Sequence, residues 1–438
     1  LHDKGYSGPA VARGKLFIVD HKDGEDTVLA FDLASGDERW RFSYKAPGDE
    51  NYGFARSTPV VEGKRVYTIS RAGVVHCLNV DSGKKIWRHD SLSAVKGKPP
   101  RWGVSNSPVI DGNRLVVPGG GKGAHVLALN KLNGAVLWKG GETARLGYAT
   151  PVLTKISGRA QYLIFSARGL SGIRPSNGDV LWSHAWPTKY DINAATPIHV
   201  GDGLIFISSG YKTGCSAVQV KGSKVNEVWR SKDMNAHFST PILVEVDGAQ
   251  QLVSSGSEGV AAYDPATGKE LWVVRHSGFS MSARPLTDGR FVYINTGFHG
   301  SSGTRILAVR ASGEGDMTDT NIVWSYRRGV PTMGSALLAD GRIYMVSDGG
   351  VASCLLAESG KRLWRQRIGG QYSASPVLAG GRIYFFDREG RSVVLAAAES
   401  YRKLAENRLD GGFMASPAVA GDDLVLRTKT HLYRISTN

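Results

Sequence analysis

One phrase of about ten residues recurs along the whole chain and constrains its fold more than any other feature. In its complete form a glycine precedes a tryptophan by four positions and follows Ser, Asn or Thr, as in YDPATGKELW, which ends at Trp272. Copies ending at Trp229 and Trp324 lack the glycine, and one ending at Leu404 lacks the tryptophan as well. Self-similarity at a period of about 40–50 residues indicates a repeat architecture. The complete copies end at Trp40, Trp87, Trp138, Trp182, Trp272 and Trp364.

A second recurring phrase lies upstream of each tryptophan and marks the start of each unit. It has the form STPVV, as at Ser57, and ten copies can be counted. A turn follows, and then a strand with apolar residues at period two, such as GRIYMV or GRIYFF. A third strand comes next, and the tryptophan-terminated segment is the fourth. Each unit is therefore predicted to be a sheet of four short antiparallel strands.

The repeated four-stranded sheet predicts an all-β fold, a β-propeller whose blades are these units. A linear β-solenoid is the competing layout, but its coils are shorter and its strands run parallel. We expect one propeller domain spanning residues 1–438. One tryptophan per sheet has a large apolar face that can fill the wedge between neighbouring blades. The predicted blade staples are Trp40, Trp87, Trp138, Trp182, Trp229, Trp272, Trp324 and Trp364.

The A-x-D-x-x-x-G-K-x-x-W phrase resembles the tryptophan-docking motif of the quinoprotein-like, or PQQ-binding-like, β-propeller repeat family. The resemblance covers essentially the whole chain. That family is related in fold to dehydrogenases that use pyrroloquinoline quinone (PQQ) and to the propeller lipoprotein of the outer-membrane β-barrel assembly machinery. The resemblance favours eight blades, whereas the literal count is ten. It also implies export to the periplasm or the extracellular space, with any signal peptide already removed.

The last unit, from residue 415 onward, ends after its third predicted strand. Either the tenth blade has three strands, or a fourth strand comes from upstream of Leu1. Both alternatives stay open on the sequence alone.

The chain is basic, with 54 Lys and Arg against 39 Asp and Glu and a net charge of +15. Anionic partners are therefore expected, although no nucleic-acid-binding motif accompanies the charge and nucleic acid is not an expected partner. No apolar run approaches the ~18 residues of a membrane span. Of the three cysteines, Cys77 and Cys354 fall at equivalent places in their units, where Ala128 stands in another. This equivalence predicts small buried residues rather than a disulfide.

The residues just before each first strand are candidates for a common binding site. In a propeller these strands line the central channel, so the preceding residues converge on one mouth. Aromatic walls with two or three cations suit a small anion, and the carboxylates of PQQ would need such arginine forks. The alternative is a merely hydrated channel. The predicted ligand-binding residues are Arg56, Trp102, Asn106, Tyr148, Asn193, His237, Arg284 and Tyr372, with Arg101 nearby.

A quinoprotein would also need Ca²⁺ held by carboxylate and amide oxygens, and an acidic residue as the base. Asp191, two residues before Asn193, is a weak candidate for that base. The resemblance further implies an adjacent-cysteine disulfide or a haem site in catalytic members, and the sequence contains neither. No metal site is predicted, and no cofactor is assigned, PQQ with Ca²⁺ being the alternative.

These observations predict an exported, monomeric binding or scaffolding module for a protein partner or a small anionic ligand at the channel mouth. A PQQ-dependent alcohol or sugar dehydrogenase is the alternative. A protein that binds or processes acidic polysaccharide is a second alternative, based on the positive charge and the exposed aromatic residues.

Overall fold

The fold is all-β in the computed structural model, which describes eleven stretches of the chain. The strands form ten sheets, and strands that follow one another in a blade pair antiparallel. The predicted β-propeller is confirmed with ten blades, and the eight-blade alternative is wrong. The described stretches are residues 1–2, 7–47, 55–142, 144–211, 213–231, 241–277, 283–297, 304–332, 334–414, 417–421 and 423–436.

The chain divides into two compact units, and the first comprises Leu1–Pro197, Val220–Val225 and Pro417–Asn438. It holds blades 1 to 4 and blade 10, which has three described strands. Two short 3-10 helices, Ser93–Val95 and Lys189–Asp191, lie in its connections. Its strands are β1 Ala10–Ala12, β2 Lys15–Lys22, β3 Glu25–Asp32, β4 Glu38–Lys45; β5 Val60–Glu62, β6 Arg65–Ile69, β7 Val74–Asn79, β8 Lys85–Asp90; β9 Val109–Asp111, β10 Arg114–Gly121, β11 Ala124–Asn130, β12 Val136–Gly140; β13 Val152–Ile156, β14 Arg159–Phe165, β15 Gly169–Ile173, β16 Val180–Ala185; and β38 Ala418–Ala420, β39 Asp423–Arg427, β40 Leu432–Ile435.

The second unit comprises Ile198–Gln219 and Asn226–Ser416 and holds blades 5 to 9, apart from the turn at 220–225. Blade 6 gains a fifth strand, β28, which pairs parallel with β24. The prediction of one domain over residues 1–438 stays a prediction. The strands are β17 Ile198–Gly201, β18 Leu204–Ser209, β19 Gly214–Lys221, β20 Lys224–Ser231; β21 Ile242–Val246, β22 Ala249–Ser255, β23 Gly259–Tyr263, β24 Glu270–Arg275; β25 Leu286–Thr287, β26 Phe291–Asn295, β27 Ile306–Arg310, β28 Gly315–Asp316, β29 Ile322–Tyr326; β30 Leu337–Ala339, β31 Arg342–Val346, β32 Val351–Leu356, β33 Arg362–Arg367; and β34 Val377–Ala379, β35 Arg382–Phe386, β36 Arg391–Ala396, β37 Lys403–Arg408.

The recurring phrase forms the hairpin between the third and fourth strands of a blade. In blade 2 the side-chain oxygen of Asn79 accepts hydrogen bonds from the backbone N–H groups of Asp81 and Ser82, which tightens the turn. Gly83 follows with a φ of +66°, in the left-handed region that favours glycine. The register then shifts beside Trp87, as expected for a bulge after a glycine turn. The Asp or Asn, the Gly and the Trp of the phrase thus have separate roles in one turn.

The hydrophobic core lies between adjacent blades, and the indoles contribute to it. Trp40 of blade 1 covers the turn of blade 2, where a Cβ on Gly83 would lie 2.5 Å from the ring. Its Nε1 donates to the carbonyl of Val80, three residues before that glycine, at 3.0 Å. The same pair of contacts recurs at Trp87 with Gly134, Trp138 with Gly178, and Trp324 with Gly360.

Trp182 and Trp272 differ from this pattern, because their indole N–H groups bond within their own blades. They donate to the side-chain oxygens of Gln161 and Gln251, at 2.6 and 2.9 Å respectively. The units that follow them end at Trp229 and Trp324 and have no glycine four positions earlier. The two indoles that bond to glutamines are thus the ones whose following unit lacks the glycine.

The described cysteines, Cys77, Cys215 and Cys354, are free and buried, and two of them lie opposite tryptophans. Cys77 pairs in register with Trp87, and Cys354 pairs with Trp364. Burial raises the pKa of the Cys77 thiol to about 12 and that of Cys354 to about 11, so neither is a reactive thiolate near neutral pH. No helix in the described part of the chain is long and apolar enough to cross a membrane.

Candidate functional site

Three successive connections between blades meet at a cavity of about 590 Å³ in the first unit. They are the connections from β8 to β9, from β12 to β13, and from β16 to β17. We call this space the basic cavity. It is lined by Lys96, Lys98, Pro99, Pro100, Arg101, Gly120, Arg145, Leu146, Tyr148, Tyr190 and Asp191.

Tyr148, which lines the basic cavity, packs against an aromatic neighbour. The rings of Trp102 and Tyr148 pack with centroids 5.7 Å apart, and the Arg101 guanidinium lies 5.5 Å from the Trp102 centroid. The Trp102 carbonyl accepts a hydrogen bond of 2.7 Å from Arg56 Nη1 and one of 3.2 Å from Arg71 Nη2. Burial raises the pKa of the Tyr148 hydroxyl, so this group stays neutral at physiological pH. Tyr148 therefore lines the cavity as a fixed, neutral side chain.

Cations outnumber carboxylates around the basic cavity. Arg145 Nη1 lies 2.9 Å from Asp191 Oδ2, so the one lining carboxylate is already ion-paired. No carboxylate of the described residues pairs with Lys96, Lys98 or Arg101. Since no carboxylate among the described residues compensates these three charges, the basic cavity favours an anionic ligand.

The backbone is strained where it forms the rim of the basic cavity. Tyr190 and Asp191 are consecutive and have φ angles of 66° and 60°. Such left-handed conformations cost non-glycine residues about 1–2 kcal/mol each. The strained turn leaves the Tyr190 side chain 52% exposed, with the Lys189 ammonium 5.1 Å from its ring centroid. Strain of this kind is typical of ligand-binding positions.

The other predicted site residues lie elsewhere. Asn106 and Asn193 are 5% and 0% exposed, and their amide nitrogens donate to the backbone carbonyls of Ala149 and Ser166. Tyr372 is also buried, at 2% exposure. Arg284 is exposed in the second unit, just before β25. Burial leaves both asparagines and Tyr372 almost no surface for a ligand, while Arg56 is engaged beneath Trp102. His237 lies outside the described residues.

The predicted residues do not provide the donor set that Ca²⁺-bound PQQ requires. A Ca²⁺ site needs six to eight oxygen ligands, yet Asn193 is buried in backbone contacts and Asp191 accepts from Arg145. Groups of three or more His, Cys, Asp or Glu side chains placed to hold a metal do not occur among the described residues. We therefore derive no catalytic step through this cofactor.

Sequence reasoning missed three of the four cations of the basic cavity, namely Lys96, Lys98 and Arg145. They lie in connections of different length and conformation, so they have no fixed distance from a repeated phrase. The available signal was the density of basic residues in KGKPPR, residues 96–101. Arg101, Tyr148 and Asp191 were identified because each lies close to the start of a first strand.

Comparison with known proteins gives one family assignment. The family model described as outer membrane protein assembly factor BamB matches residues 24–243 and 220–438. The chain belongs to this family. The resemblance to quinoprotein-like β-propeller repeat proteins is therefore confirmed. A member from Salmonella typhimurium, also named outer membrane protein assembly factor BamB, is 36% identical over 85 residues, and the match covers 18% of this chain and 20% of that protein.

Three solved structures align with most of this chain at low sequence identity. BamB from Moraxella catarrhalis is 13% identical to this chain. The match covers 99% of this chain and 98% of that protein, with a TM-score of 0.43. A europium-containing methanol dehydrogenase is 13% identical. The match covers 97% of this chain and 82% of that protein, with a TM-score of 0.49. The quinohemoprotein alcohol dehydrogenase from Comamonas testosteroni is 11% identical. The match covers 97% of this chain and 70% of that protein, with a TM-score of 0.48. The family assignment rests on the sequence match alone.

Proposed function

We propose that this protein is a binding scaffold whose basic cavity holds a ligand rich in carboxylates, presented by an acidic segment of a partner protein. The observation that carries the proposal is the charge of the basic cavity. Four cations line it, and the one carboxylate among its lining residues is bonded to one of them. Acidic side chains entering the cavity would meet Lys96, Lys98 and Arg101, which form charge-assisted hydrogen bonds with carboxylates.

The shape of the basic cavity also supports a peptide segment as the ligand. A space of about 590 Å³ is within the range of pockets that enclose small molecules and side chains. The Tyr148 ring, which packs on Trp102, and the exposed Tyr190 ring offer apolar surface beside the cations, so a chain with both acidic and apolar side chains fits the cavity. The family name, outer membrane protein assembly factor, supports a role in binding other proteins.

A charge reversal tests the proposal directly. We expect fluorescently labelled hexaglutamate to bind the protein, and the double substitution Lys98→Glu, Arg101→Glu to weaken binding at least tenfold, because attraction becomes repulsion. Fluorescence anisotropy at two salt concentrations measures this, and higher salt should weaken binding to the unmodified protein. Citrate serves as a second ligand, since stronger binding of citrate than of hexaglutamate would indicate a small-molecule site.

A matched control separates the basic cavity from the general positive charge. Lys155→Glu with Arg159→Glu changes the net charge by the same amount in the hairpin of β13 and β14 in blade 4, where both side chains are exposed. This variant should bind hexaglutamate as the unmodified protein does. Equal losses in the two variants would show that binding depends on net charge and would contradict the proposal.

The proposal also includes a periplasmic location and a monomeric state. The family name supports the first, since outer-membrane assembly takes place at the periplasm. Recovery of the protein in the cytosolic fraction of its host would contradict that location. Sedimentation at micromolar concentration should give the mass of one 47.1 kDa chain, and a larger mass would contradict the monomer.

A further inference from the structure

The fourth strand of blade 6 is covered by a fifth strand from the same chain. This strand, β28, lies in the connection from β27 to β29 and pairs in parallel with β24, with Asp316 opposite Val273. The backbone N–H of Met317 extends the pairing, since it donates to the Val273 carbonyl at 2.8 Å. The outer edge of a blade in this protein can therefore accept one more strand.

Two ion pairs hold the β28 segment on blade 6. Asp316 Oδ2 lies 3.0 Å from Arg275 Nε, and Glu314 Oε1 lies 3.2 Å from Lys269 Nζ. The lysine precedes Trp272 by three positions, and the arginine follows it by three. Exposed ion pairs add little stability, but these two fix the register of the added strand because each carboxylate has its own cation.

Blade 8 repeats both cations of blade 6. Lys361 and Arg367 stand three positions before and after Trp364, and the only other tryptophan of the recurring phrase with Lys and Arg at these places is Trp272. Both side chains are exposed, as is that of Arg365 between them. No carboxylate of the described residues pairs with any of these three cations. Blade 8 thus has the basic half of the blade 6 contact without the acidic half.

The outer edge of β33 is open to a further strand. No strand in the described part of the chain pairs with it. Residues 311–321 form the connection that supplies β28 to blade 6, whereas the corresponding connection beside blade 8 spans only residues 397–402. A space of about 570 Å³ lies along β33 instead, lined by that strand together with Val351 and Tyr401. We call this space the β33 groove.

The register of β28 predicts where a carboxylate would lie in the β33 groove. Arg365 holds the place of Val273, the residue opposite Asp316 in blade 6. Side chains two residues apart lie on the same face of a strand, so Arg365 and Arg367 share one face. An aspartate in this register would therefore meet two guanidiniums in blade 8, where blade 6 offers one.

The β33 groove also provides apolar surface beside its cations. The rings of Trp364 and Tyr401 pack edge to face with centroids 5.5 Å apart, and Leu363 is half-buried. In blade 6 the residue after the paired aspartate, Met317, is 3% exposed and packs in the same cluster as Trp272. An apolar residue after the aspartate of an added strand would thus fit blade 8 as well.

We propose that the β33 groove binds an extended acidic segment of a partner protein, which adds to blade 8 as a parallel fifth strand. Main-chain hydrogen bonds supply the affinity in this mode, and the arginines select carboxylates. The expected pattern is acidic, small, acidic, apolar, as in EGDM at residues 314–317. That segment already pairs with blade 6, so a second copy of this chain does not offer it. The proposal concerns the second unit and does not depend on the basic cavity of the first.

The test measures fluorescence anisotropy of a labelled peptide, SGEGDMTDT, residues 312–320, with the protein of 438 residues. We expect the peptide to bind. A peptide of equal charge that is N-methylated at its methionine should bind at least tenfold more weakly, because it lacks the N–H that Met317 donates to Val273 in blade 6. This comparison detects strand pairing and leaves the protein unchanged.

A charge reversal tests the arginines. Arg365→Glu with Arg367→Glu should weaken binding of the unmethylated peptide at least tenfold, because attraction becomes repulsion. Lys155→Glu with Arg159→Glu is the matched control, since it makes the same change of charge at exposed side chains of the β13–β14 hairpin. This control should bind the peptide as the unmodified protein does.

The Lys98→Glu, Arg101→Glu variant separates this proposal from the basic cavity, and it should also bind the peptide normally. Loss of binding in that variant, no binding at millimolar peptide, equal binding of the two peptides, or equal effects of the blade 8 and control variants would overturn the proposal. Self-association of the peptide-free protein that Arg365→Glu with Arg367→Glu abolishes would also overturn it, because the occupant would then be a second copy. Hexaglutamate tests the basic cavity, so either proposal can fail without the other.

Discussion

Replacing Gly83 by alanine is expected to lower the free energy of unfolding by about 2–5 kcal/mol. The new Cβ would lie 2.5 Å from two atoms of the Trp40 ring, so the indole must move. Overpacking of a filled core costs about 1–3 kcal/mol, and a left-handed conformation adds about 1–2 kcal/mol for a residue with a side chain. Urea unfolding followed by tryptophan fluorescence measures the loss as a shift of the midpoint.

Gly112→Ala provides the control for this prediction. Gly112 has a φ of +58° in a turn of blade 3, and a Cβ there meets no atom within 4 Å. Only the backbone cost applies, so the loss should be about 1–2 kcal/mol. If the two substitutions destabilise the protein equally, the close contact between indole and glycine is not what stabilises the blade interface.

Replacing Trp138 by alanine is expected to cost about 3–5 kcal/mol, the usual range for a buried tryptophan. Trp138 is 8% exposed, lies on Gly178, and donates its Nε1 hydrogen to the Pro175 carbonyl at 2.9 Å. The truncation removes apolar contact between blades 3 and 4 and leaves that carbonyl without its donor. Urea unfolding measures the loss, which tests the predicted role of the tryptophans as blade staples.

Trp138→Phe separates the two parts of this effect. Phenylalanine keeps an aromatic face on the Gly178 turn but cannot donate to Pro175, so the loss should be about 1–3 kcal/mol, the cost of an unsatisfied buried acceptor. Unfolding free energies should therefore rank the unmodified protein first, Trp138→Phe second and Trp138→Ala last. Equal losses for the two variants would assign the whole effect to the hydrogen bond.

Much of the fold could be predicted because the repeated phrase encodes a local turn and a contact between blades together. The Asp or Asn, the Gly and the Trp each satisfy a separate physical requirement, so nine imperfect copies of this phrase, together with ten copies of the first-strand phrase, were enough to count the blades. Even the exceptions were visible, since Trp229 and Trp324 follow turns without the glycine and the preceding indoles bond to glutamines instead. The glutamine partners could not be predicted, because nothing in the phrase specifies residue 161 or 251.

The candidate site was only partly predictable, because its residues lie in connections rather than in repeated strands. Position before a first strand suggested Arg101 and Tyr148, which both line the basic cavity, yet the same rule selected Asn106 and Asn193. These amides are buried and bonded to backbone carbonyls. A polar residue beside a strand can face a cavity or satisfy the backbone of a buried connection, and its sequence position does not distinguish the two.

The most direct test of the central claim, that the basic cavity is an anion-binding site and not a cofactor centre, is calorimetric titration of PQQ into the purified protein. The titration is done with and without Ca²⁺, beside the Lys98→Glu, Arg101→Glu variant. We expect any binding heat to be independent of Ca²⁺ and to be lost in the variant, since PQQ would then bind only through its carboxylates. Tight binding that requires Ca²⁺ and persists in the variant would contradict the account and would favour the oxidoreductase alternative.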